Sequence, residues 1–392
     1  EAKKAGKTEI SGVDVFTLKD TYGFPLDLTE LILRENGFTT NEEEYNKALE
    51  HQKEMGRSAN KQDLGDWNVL KEGESEFVGY DEQQCDTQIL RYRQVTQKGK
   101  SFYQVVLSKT PFYAEMGGEV GDTGCLCANG TRYPIVDTKR ENNLAVHIMP
   151  SLPQDMETPM KAEVNCACHQ AIMCNHTATH ILHYALREVL GKHVEQKGSL
   201  VTADSLRFDF SHFQKVTPEQ LRQVEQLANQ MVRQDLPLEE CRHTTMEEAR
   251  QMGAMALFGE KYGDDVRVIK YGPSVELCGG CHVSSTGKIG SIRIVMETSI
   301  AAGVRRIEAV TAAKADELYY AAQDMISGLR ALFNNAPDLA GAIKRSIEEN
   351  AGLKKQIESF MAEKMELLAD KLISNAEDYK GIQLVRLQGQ IA

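Results

Sequence analysis

The chain has 392 residues, 41% of them hydrophobic, and a formal net charge of −12. A chain of this length can bury more than one core, so roughly two to four domains are expected. The acidic balance argues against a protein that coats nucleic acid nonspecifically, although local RNA contact through a small basic patch stays open.

Membrane insertion and secretion find no support in the sequence. No uninterrupted apolar run reaches the roughly 18–20 residues that a membrane helix needs, and the opening Glu1-Ala2-Lys3-Lys4 has no signal-peptide core. Nine cysteines in a chain this long are too sparse for a disulfide scaffold. We therefore expect a cytoplasmic protein with no membrane association. Because the chain starts at Glu1 in what resembles the middle of a fold, we also expect a piece of a longer polypeptide.

The first two regions differ in the spacing of their apolar residues and in their turn signals. Residues 1–72 are predicted to be largely helical, because apolar residues follow helical spacing after Pro25. In residues 73–150 short apolar runs alternate with turn signals such as Gly117-Gly118 and Asn129-Gly130. This pattern predicts a small β unit, a β-barrel or half-barrel.

The next region, residues 151–312, mixes helical and strand patterns, which predicts an α+β core. Its predicted helices are Ala171–Leu190 and Pro218–Gln234, and its predicted strands are Ser205–Phe210, Val266–Tyr271, Ser291–Glu297 and Val304–Val310. The fold class is therefore α+β and multidomain.

The last region, residues 313–392, is predicted to be a helical tail that Pro337 divides in two. Apolar residues recur there at spacings of three and four, namely Ile357, Met361, Met365, Leu368 and Leu372. Such a stripe fits a partner-binding or coiled-coil helix, but it equally fits docking on the chain's own core.

A split set of zinc-type ligands is the strongest chemical signal. His176 and His180 are four residues apart, so they share one face of a helix, and the distant Cys278-Gly279-Gly280-Cys281-His282 offers Cys278 and His282 from a Gly-Gly turn. Together they predict one tetrahedral zinc site. Either half alone is equally compatible with capping or core histidines and small buried cysteines. Cys281 could replace Cys278 as the sulfur ligand.

Other polar residues near these segments suggest how hydrolysis could occur. His183, on a neighbouring helical face, is expected to support the ligands from outside or to lie at the surface. No serine has the setting of an activated nucleophile, so hydrolysis would use a positioned water. Thr179, Gln196 and Ser199 could position it, although residues of these types usually face solvent or turns.

Several segments resemble the alanyl-tRNA synthetase family, in particular its proofreading half. The segments similar to its editing domain are Asn175–His183, Leu186–Gly191, Val194–Val201, Leu206–His212, Ala256–Gly263 and Ala301–Ala309, with Pro111–Glu119 and Gly121–Gly124 similar to a Gly-rich loop. Asp20–Thr29 resembles the end of the tRNA-recognition helices. The tail resembles the start of the region through which family members dimerise.

This resemblance implies the hydrolysis of tRNA(Ala) wrongly charged with serine or glycine. It implies zinc held by His176, His180, Cys278 and His282, catalytic roles for Gln196 and Thr179, and substrate binding by Ser199. Asp27, or less favourably Asp20, would lie near the acceptor stem of tRNA(Ala). The family usually has Thr where this chain has Cys281. ATP and Mg²⁺ would belong only to an aminoacylation domain outside this chain.

The resemblance also names the regions. Residues 1–72 would end the tRNA-recognition domain, residues 73–150 would be the β-barrel part of the editing domain, residues 151–312 its zinc-binding core, and residues 313–392 a C-terminal region that can form a homodimer. Two alternatives stay open, a freestanding trans-editing hydrolase and a non-catalytic zinc module that binds RNA. A metalloprotease is disfavoured because no glutamate follows His176.

Overall fold

The computed structural model of the chain describes residues 9–20, 29, 33–34, 37–41, 44–50, 63–97, 99–255, 263 and 265–385. Asp27 and residues 256–262 lie outside the described residues, as does the side chain of Asp20. The chain divides into two units, Glu1–Asp316 and Glu317–Ala392. The finer boundaries near residues 72, 150 and 312 stay predictions.

The start of the first unit is a small pairing of short elements, β1 (Glu9–Ile10), α1 (Gly12–Asp20) and β2 (Thr39–Thr40), with further helix at residues 44–50. Strands β1 and β2 run parallel. The side chain of Glu44 accepts hydrogen bonds from Ser11 Oγ at 2.8 Å and Gly12 N at 3.0 Å, which ties the start of α1 to the following helix.

Twelve strands follow and form most of the β region. They are β3 (Asp63–Leu64), β4 (Asn68–Val69), β5 (Glu76–Phe77), β6 (Gln84–Thr87), β7 (Ile89–Gln97), β8 (Lys100–Leu107), β9 (Lys109–Thr110), β10 (Gly124–Ala128), β11 (Thr131–Ile135), β12 (Asp137–Glu141), β13 (Leu144–Met149) and β14 (Met160–Val164). One sheet has the order β11-β10-β14-β6 and another the order β12-β13-β8-β7-β3, with β4 also on β7; β5 pairs with β9.

The prediction of a closed β-barrel was wrong. The two larger sheets are open and share one core, to which Leu107 and Met149 contribute from one sheet and Leu126 and Ala162 from the other. The chain passes from one sheet to the other at single residues. Gln88 alone separates β6 from β7, and Val136 alone separates β11 from β12. The ladder of hydrogen bonds breaks at these bends, so each sheet keeps open edges among the described pairings.

A long central helix organises the rest of the first unit. The elements are α2 (Cys166–Leu190), β15 (Gln196–Val201), β16 (Leu206–Ser211), α3 (Pro218–Arg233), β17 (Glu239–Thr245), α4 (Met246–Gln251), β18 (Asp265–Tyr271), β19 (Ser274–Leu277), a 3₁₀ turn (Thr286–Ile289), β20 (Ile292–Ala301) and β21 (Val304–Thr311). Both predicted helices and all four predicted strands of this region are confirmed within a few residues. The sheets have the orders β15-β16-β21-β20 and β17-β18-β19.

Helix α2 is buried along most of its middle because it packs between α3 and the sheet β15-β16-β21-β20. Ile181 and Leu186 of the helix share a core with Phe208, Val224 and Ile307, all nearly inaccessible to solvent. A helix held this way presents its remaining polar side chains in fixed positions.

The second unit is mostly helical. Helix α5 (Ala312–Leu332) precedes α6 (Leu339–Ser374), and β22 (Glu377–Tyr379) pairs with β23 (Ile382–Leu384). Pro337 lies between the two helices, as predicted, and the side chain of Asp338 caps α6 by accepting from Gly341 N at 2.9 Å. None of the described helices combines the length and the apolar character required to cross a membrane.

Candidate metal centre and its cavity

Two of the predicted ligands lie one turn apart on α2. His176 and His180 are both buried, and their ring centroids are 5.3 Å apart. The side chain of Asn165 begins the helix by accepting a hydrogen bond from the backbone N–H of Cys168 at 3.3 Å. Because the middle of α2 is packed in the core, the two imidazoles are held on a rigid element.

The other two predicted ligands lie in the turn after β19. Cys278 Sγ is 3.4 Å from His176 Nε2 and 3.3 Å from His282 Nε2. One potential ligand atom from each of the four residues lies within 4.8 Å of the others. Tetrahedral zinc with Zn–N of about 2.0–2.1 Å and Zn–S of about 2.3 Å places its ligands about 3.3–3.7 Å apart. The structure therefore brings the four predicted residues together at a spacing that suits one zinc ion.

The outward nitrogens of two ligands also have partners. His176 Nδ1 contacts the buried carboxylate of Glu119, and His282 Nδ1 lies 3.1 Å from Thr177 Oγ1. Metal-binding histidines usually have such a partner on the nitrogen that faces away from the ion, because it fixes the ring orientation and the tautomer. The set thus fits a metal in its supporting contacts as well as in its ligands.

Glu119 is a residue that the sequence analysis missed. It follows Met116-Gly117-Gly118 in a loop of the two-sheet region, and that loop runs beside β15, with Val201 N donating to Gly118 O at 2.7 Å. A Cβ at Gly118 would lie 2.6 Å from Ser199 O, so the close approach requires glycine. The Gly-Gly-Glu sequence was the available signal, but only the fold shows that it reaches His176.

The position of Cys281 separates it from the ligand cluster. Its backbone N–H donates to Glu119 Oε2 at 2.9 Å, and the cluster of potential ligand atoms contains Cys278 instead. Burial, reinforced by the Glu119 carboxylate, raises the pKa of the Cys281 thiol well above its ordinary value. Cys281 is therefore placed to order the turn through its backbone rather than to offer a thiolate.

The charges of the cluster favour a bound cation. Burial raises the pKa of Cys278, but the three surrounding histidines outweigh burial and hold the pKa well below its ordinary value. Burial likewise lowers the pKa of His176, yet the Cys278 thiolate and Glu119 raise it to about 10. A metal ion that binds here has to displace that proton, so its affinity falls as the pH is lowered.

Two residues from other parts of the fold hold the turn that carries Cys278 and His282. Arg267 on β18 donates to Cys278 O at 3.1 Å and to Gly280 O at 2.6 Å, while Tyr80 of the two-sheet region donates to Gly279 O at 2.6 Å. The Arg267 guanidinium also lies 3.9 Å from the centre of the Tyr80 ring. Arg267 and Tyr80 thereby satisfy three consecutive backbone carbonyls of the turn.

Replacing Arg267 with Lys is expected to lower the free energy of unfolding by about 1–3 kcal/mol, because an ammonium cannot reach both carbonyls and pair with Glu240. Urea unfolding at fixed zinc concentration measures this effect. Arg293→Lys is the matched control, since Arg293 is exposed and pairs with Glu225 at the surface; its change in the free energy of unfolding should stay within about 0.5 kcal/mol. Equal effects of the two variants would contradict the assigned role.

A cavity of about 360 Å³ opens beside the cluster. The predicted site residues that line it are His176, His180, Cys278, Thr179, Gln196 and Ser199. Thr179 is buried and its hydroxyl donates to Asn175 O at 2.9 Å, so this oxygen keeps lone pairs to accept a further hydrogen bond. The structure thus gathers three predicted polar residues and three predicted ligands around one space, whereas Asp27 lies outside the described residues.

Glu276 is a second residue of the cavity wall that the sequence analysis missed. It is 4% exposed, and its carboxylate lies 3.1 Å from His183 Nδ1 and 3.9 Å from His180 Nδ1. Burial raises its pKa, but the two histidines outweigh burial and lower it. His183 is therefore buried behind the cavity wall and does not lie at the surface, and Glu276 places a negative charge beside a predicted ligand.

Two family models match the chain. One is described as tRNA synthetases class II (A) and matches residues 1–169; the other is described as the second additional domain of threonyl and alanyl tRNA synthetases and matches residues 266–308. The second match contains the turn with Cys278 and His282. Both family models are models of tRNA synthetases, and the first indicates class II.

The curated relatives narrow the class. The alanine–tRNA ligase of Parabacteroides distasonis is 58% identical over 390 residues, which are 100% of this chain and 45% of the relative. That of Bacteroides fragilis (strain YCH46) is 58% identical over 386 residues, 98% of this chain and 44% of the relative. That of Cytophaga hutchinsonii is 46% identical over 389 residues, with the same shares. The chain belongs to the alanyl-tRNA synthetase family, and it spans a little under half the length of these relatives.

Proposed function

We propose that this chain is the proofreading part of an alanine–tRNA ligase and hydrolyses the ester of tRNA(Ala) mischarged with serine or glycine. The observation that carries the proposal is the single cavity shared by the His/Cys cluster with Gln196 and Ser199. Its volume of about 360 Å³ is in the usual range for small-molecule sites. An aminoacylated tRNA end offers one ester and one small side chain to such a space.

Selectivity between alanine and its near analogues requires a second site. In the pocket where a synthetase activates alanine, one methyl group contributes about 1–3 kcal/mol of binding free energy, which limits discrimination against glycine. The same pocket rejects an added hydroxyl, as in serine, poorly. A hydrolytic cavity with hydrogen-bonding groups has the opposite preference, because a seryl hydroxyl satisfies polar atoms that alanine leaves unpaired. Thr179 and Gln196 are the residues that we assign to this recognition and to positioning the attacking water.

We propose zinc as the metal of the cluster, held by His176, His180, Cys278 and His282. When bound, zinc supplies a positive charge at the cavity wall for an oxygen of the substrate, whereas four protein ligands leave no open position for an activated water. The side chains of the cavity then orient the ester and the water. Glu119 and Thr177 keep the imidazoles in the ligating orientation from outside.

The whole protein's properties are proposals of the same kind. We assign residues 1–72 to the end of the tRNA-recognition domain, residues 73–150 and 151–312 to editing, and residues 313–392 to a region that forms a homodimer. Asp27 would lie near the acceptor stem of tRNA(Ala), and ATP and Mg²⁺ would act only in the aminoacylation domain. The protein would work in the cytoplasm. The freestanding hydrolase and the non-catalytic module are not favoured, since these relatives are alanine–tRNA ligases that match 98–100% of this chain.

The proposal is tested by deacylation of seryl-, glycyl- and alanyl-tRNA(Ala) with the purified chain. We expect faster release of serine and glycine than of alanine, together with one zinc ion that depends on Cys278. Equal and slow release of all three amino acids from a zinc-loaded chain would reject the editing function and favour a module that only binds RNA.

Replacing Gln196 with Ala is expected to slow seryl-tRNA(Ala) deacylation by about 10²–10³-fold, because an oriented polar group is lost from the cavity, while zinc content stays unchanged. Single-turnover deacylation and elemental analysis of the same sample measure both quantities. Lys197→Ala is the matched control, since Lys197 is the next residue of β15 but does not line the cavity. Loss of zinc in the Gln196 variant would show that this residue supports the metal instead.

A further inference from the structure

A second cluster of metal-type ligands lies on the outer face of the four-stranded sheet β11-β10-β14-β6. Cys125 and Cys127 are two residues apart on β10, so both side chains point to the same face. In the neighbouring strand β14, Glu163 is the partner of Cys125. Strand register alone therefore brings two thiols and one carboxylate side by side.

The distances within this cluster suit a shared ion. The two sulfur atoms are 3.6 Å apart, and Cys125 Sγ is 3.9 Å from Glu163 Oε2. One potential ligand atom from each residue lies within 4.8 Å of the others. Two thiolates on one tetrahedral zinc ion, with Zn–S of about 2.3 Å, stand about 3.7 Å apart.

A disulfide is a poorer explanation for this pair. Residues i and i+2 of an extended strand have Cα atoms about 6.6 Å apart, which is close to the upper limit for a disulfide, and the usual distance is about 5.5–6 Å. Closing the bond would require β10 to buckle while it pairs with strands on both sides. Chelation of one ion needs no such movement.

Charge and access are also suitable. Two thiolates and a carboxylate carry three negative charges when a divalent ion is bound, and Arg132 lies 3.2 Å from Glu163 Oε2 to balance the remaining one. The cluster borders a surface cavity of about 580 Å³ whose lining includes Cys125, Glu163 and Arg132. An ion can therefore enter from solvent and keep water or another small ligand in its fourth position.

We propose that Cys125, Cys127 and Glu163 form a second site for a thiophilic divalent cation, with zinc as the natural ion. The ligand set of two sulfurs and one oxygen selects zinc or cadmium over magnesium or calcium. Because the ligands come from two neighbouring strands, the ion clamps β10 to β14. The site is separate from the His/Cys cluster and does not depend on the proposed hydrolysis.

The test uses the full chain loaded with zinc or with cadmium and freed of unbound metal. Elemental analysis and the ultraviolet thiolate-to-cadmium absorption are compared for the wild type and a C125S/C127S variant. We expect the double variant to hold one equivalent less per chain and to lose the absorption of two thiolates. Equal metal content in the two proteins overturns the proposal. The difference between the two proteins measures the second site even if the first binds nothing.

Two further variants guard against a trivial loss of structure. Glu163→Gln replaces a side chain that is 28% exposed and is expected to weaken cadmium binding by at least about tenfold. Cys166→Ser removes an exposed thiol beside the same cavity and should keep the full metal content. In the Cys278→Ala background, zinc should raise the Tm, and this rise should vanish when C125S/C127S is added. An unchanged affinity in Glu163→Gln would overturn the assignment of the carboxylate.

Discussion

Replacing Cys278 with Ala should remove one equivalent of zinc per chain and reduce seryl-tRNA(Ala) deacylation to background. Cys278 Sγ lies within 3.4 Å of two imidazole nitrogens, so its loss takes away the only thiolate of the cluster and leaves three neutral or protonated histidines. Loss of an outer hydrogen-bond partner alone typically weakens metal binding about 10–100-fold. Loss of a ligand should exceed about a hundredfold.

Cys281→Ser is the matched control for this experiment. Its backbone hydrogen bond to Glu119 does not depend on the side chain, so the variant should keep its zinc and its activity. Zinc is measured by elemental analysis and by competition with a chelator, and hydrolysis by release of labelled serine. Zinc retained in Cys278→Ala and lost in Cys281→Ser would transfer the ligand role to Cys281.

Replacing Glu119 with Gln should weaken zinc binding roughly 10–100-fold and slow editing in proportion to the zinc lost. The carboxylate contacts His176 Nδ1 and accepts the Cys281 N–H at 2.9 Å, so one oxygen orients a ligand and also holds the turn that carries the sulfur. The amide has nearly the same shape but no charge. The variant would also bury its NH₂ group at the position that Oε1 of Glu119 occupies, where no described residue offers a hydrogen-bond partner.

Glu115→Gln separates this effect from a general change of the loop. Glu115 lies four residues earlier and pairs with Lys139 at the surface, so its variant should keep zinc affinity and hydrolysis near the wild-type values. Competition with a chelator at constant pH gives the two affinities. Equal affinities in Glu119→Gln and in the wild type would mean that the contact with His176 is incidental.

The residues of the candidate metal cluster were predictable from the sequence because helical spacing and a Gly-Gly turn are local properties. His176 and His180 needed only the geometry of one helix. The choice between Cys278 and Cys281 was not local, since it depends on Arg267 and Glu119, which reach the turn from other elements. For the same reason the sequence did not indicate the carboxylates that support the histidines.

The β region shows the complementary failure. Alternating apolar residues and turn signals predicted its strands but not how the sheets close, because closure depends on which edge strands pair. Single-residue bends at Gln88 and Val136 transfer the chain between sheets, and no local signal distinguishes such a bend from a continuous barrel strand. The helical tail was simpler, since a proline in the interior of a helical stretch removes a backbone hydrogen bond and so ends or kinks the helix.

Tyr80 and Glu119 connect two parts of the chain that family models match separately, since both residues belong to the first match and both touch the turn within the second. Recombination between homologues at a point between the two matched regions would therefore combine the positions of Tyr80 and Glu119 from one parent with the turn from the other. Chimaeras should keep a bound metal where the foreign part also supplies Tyr and Glu at positions 80 and 119, so the two matched regions depend on each other through these contacts.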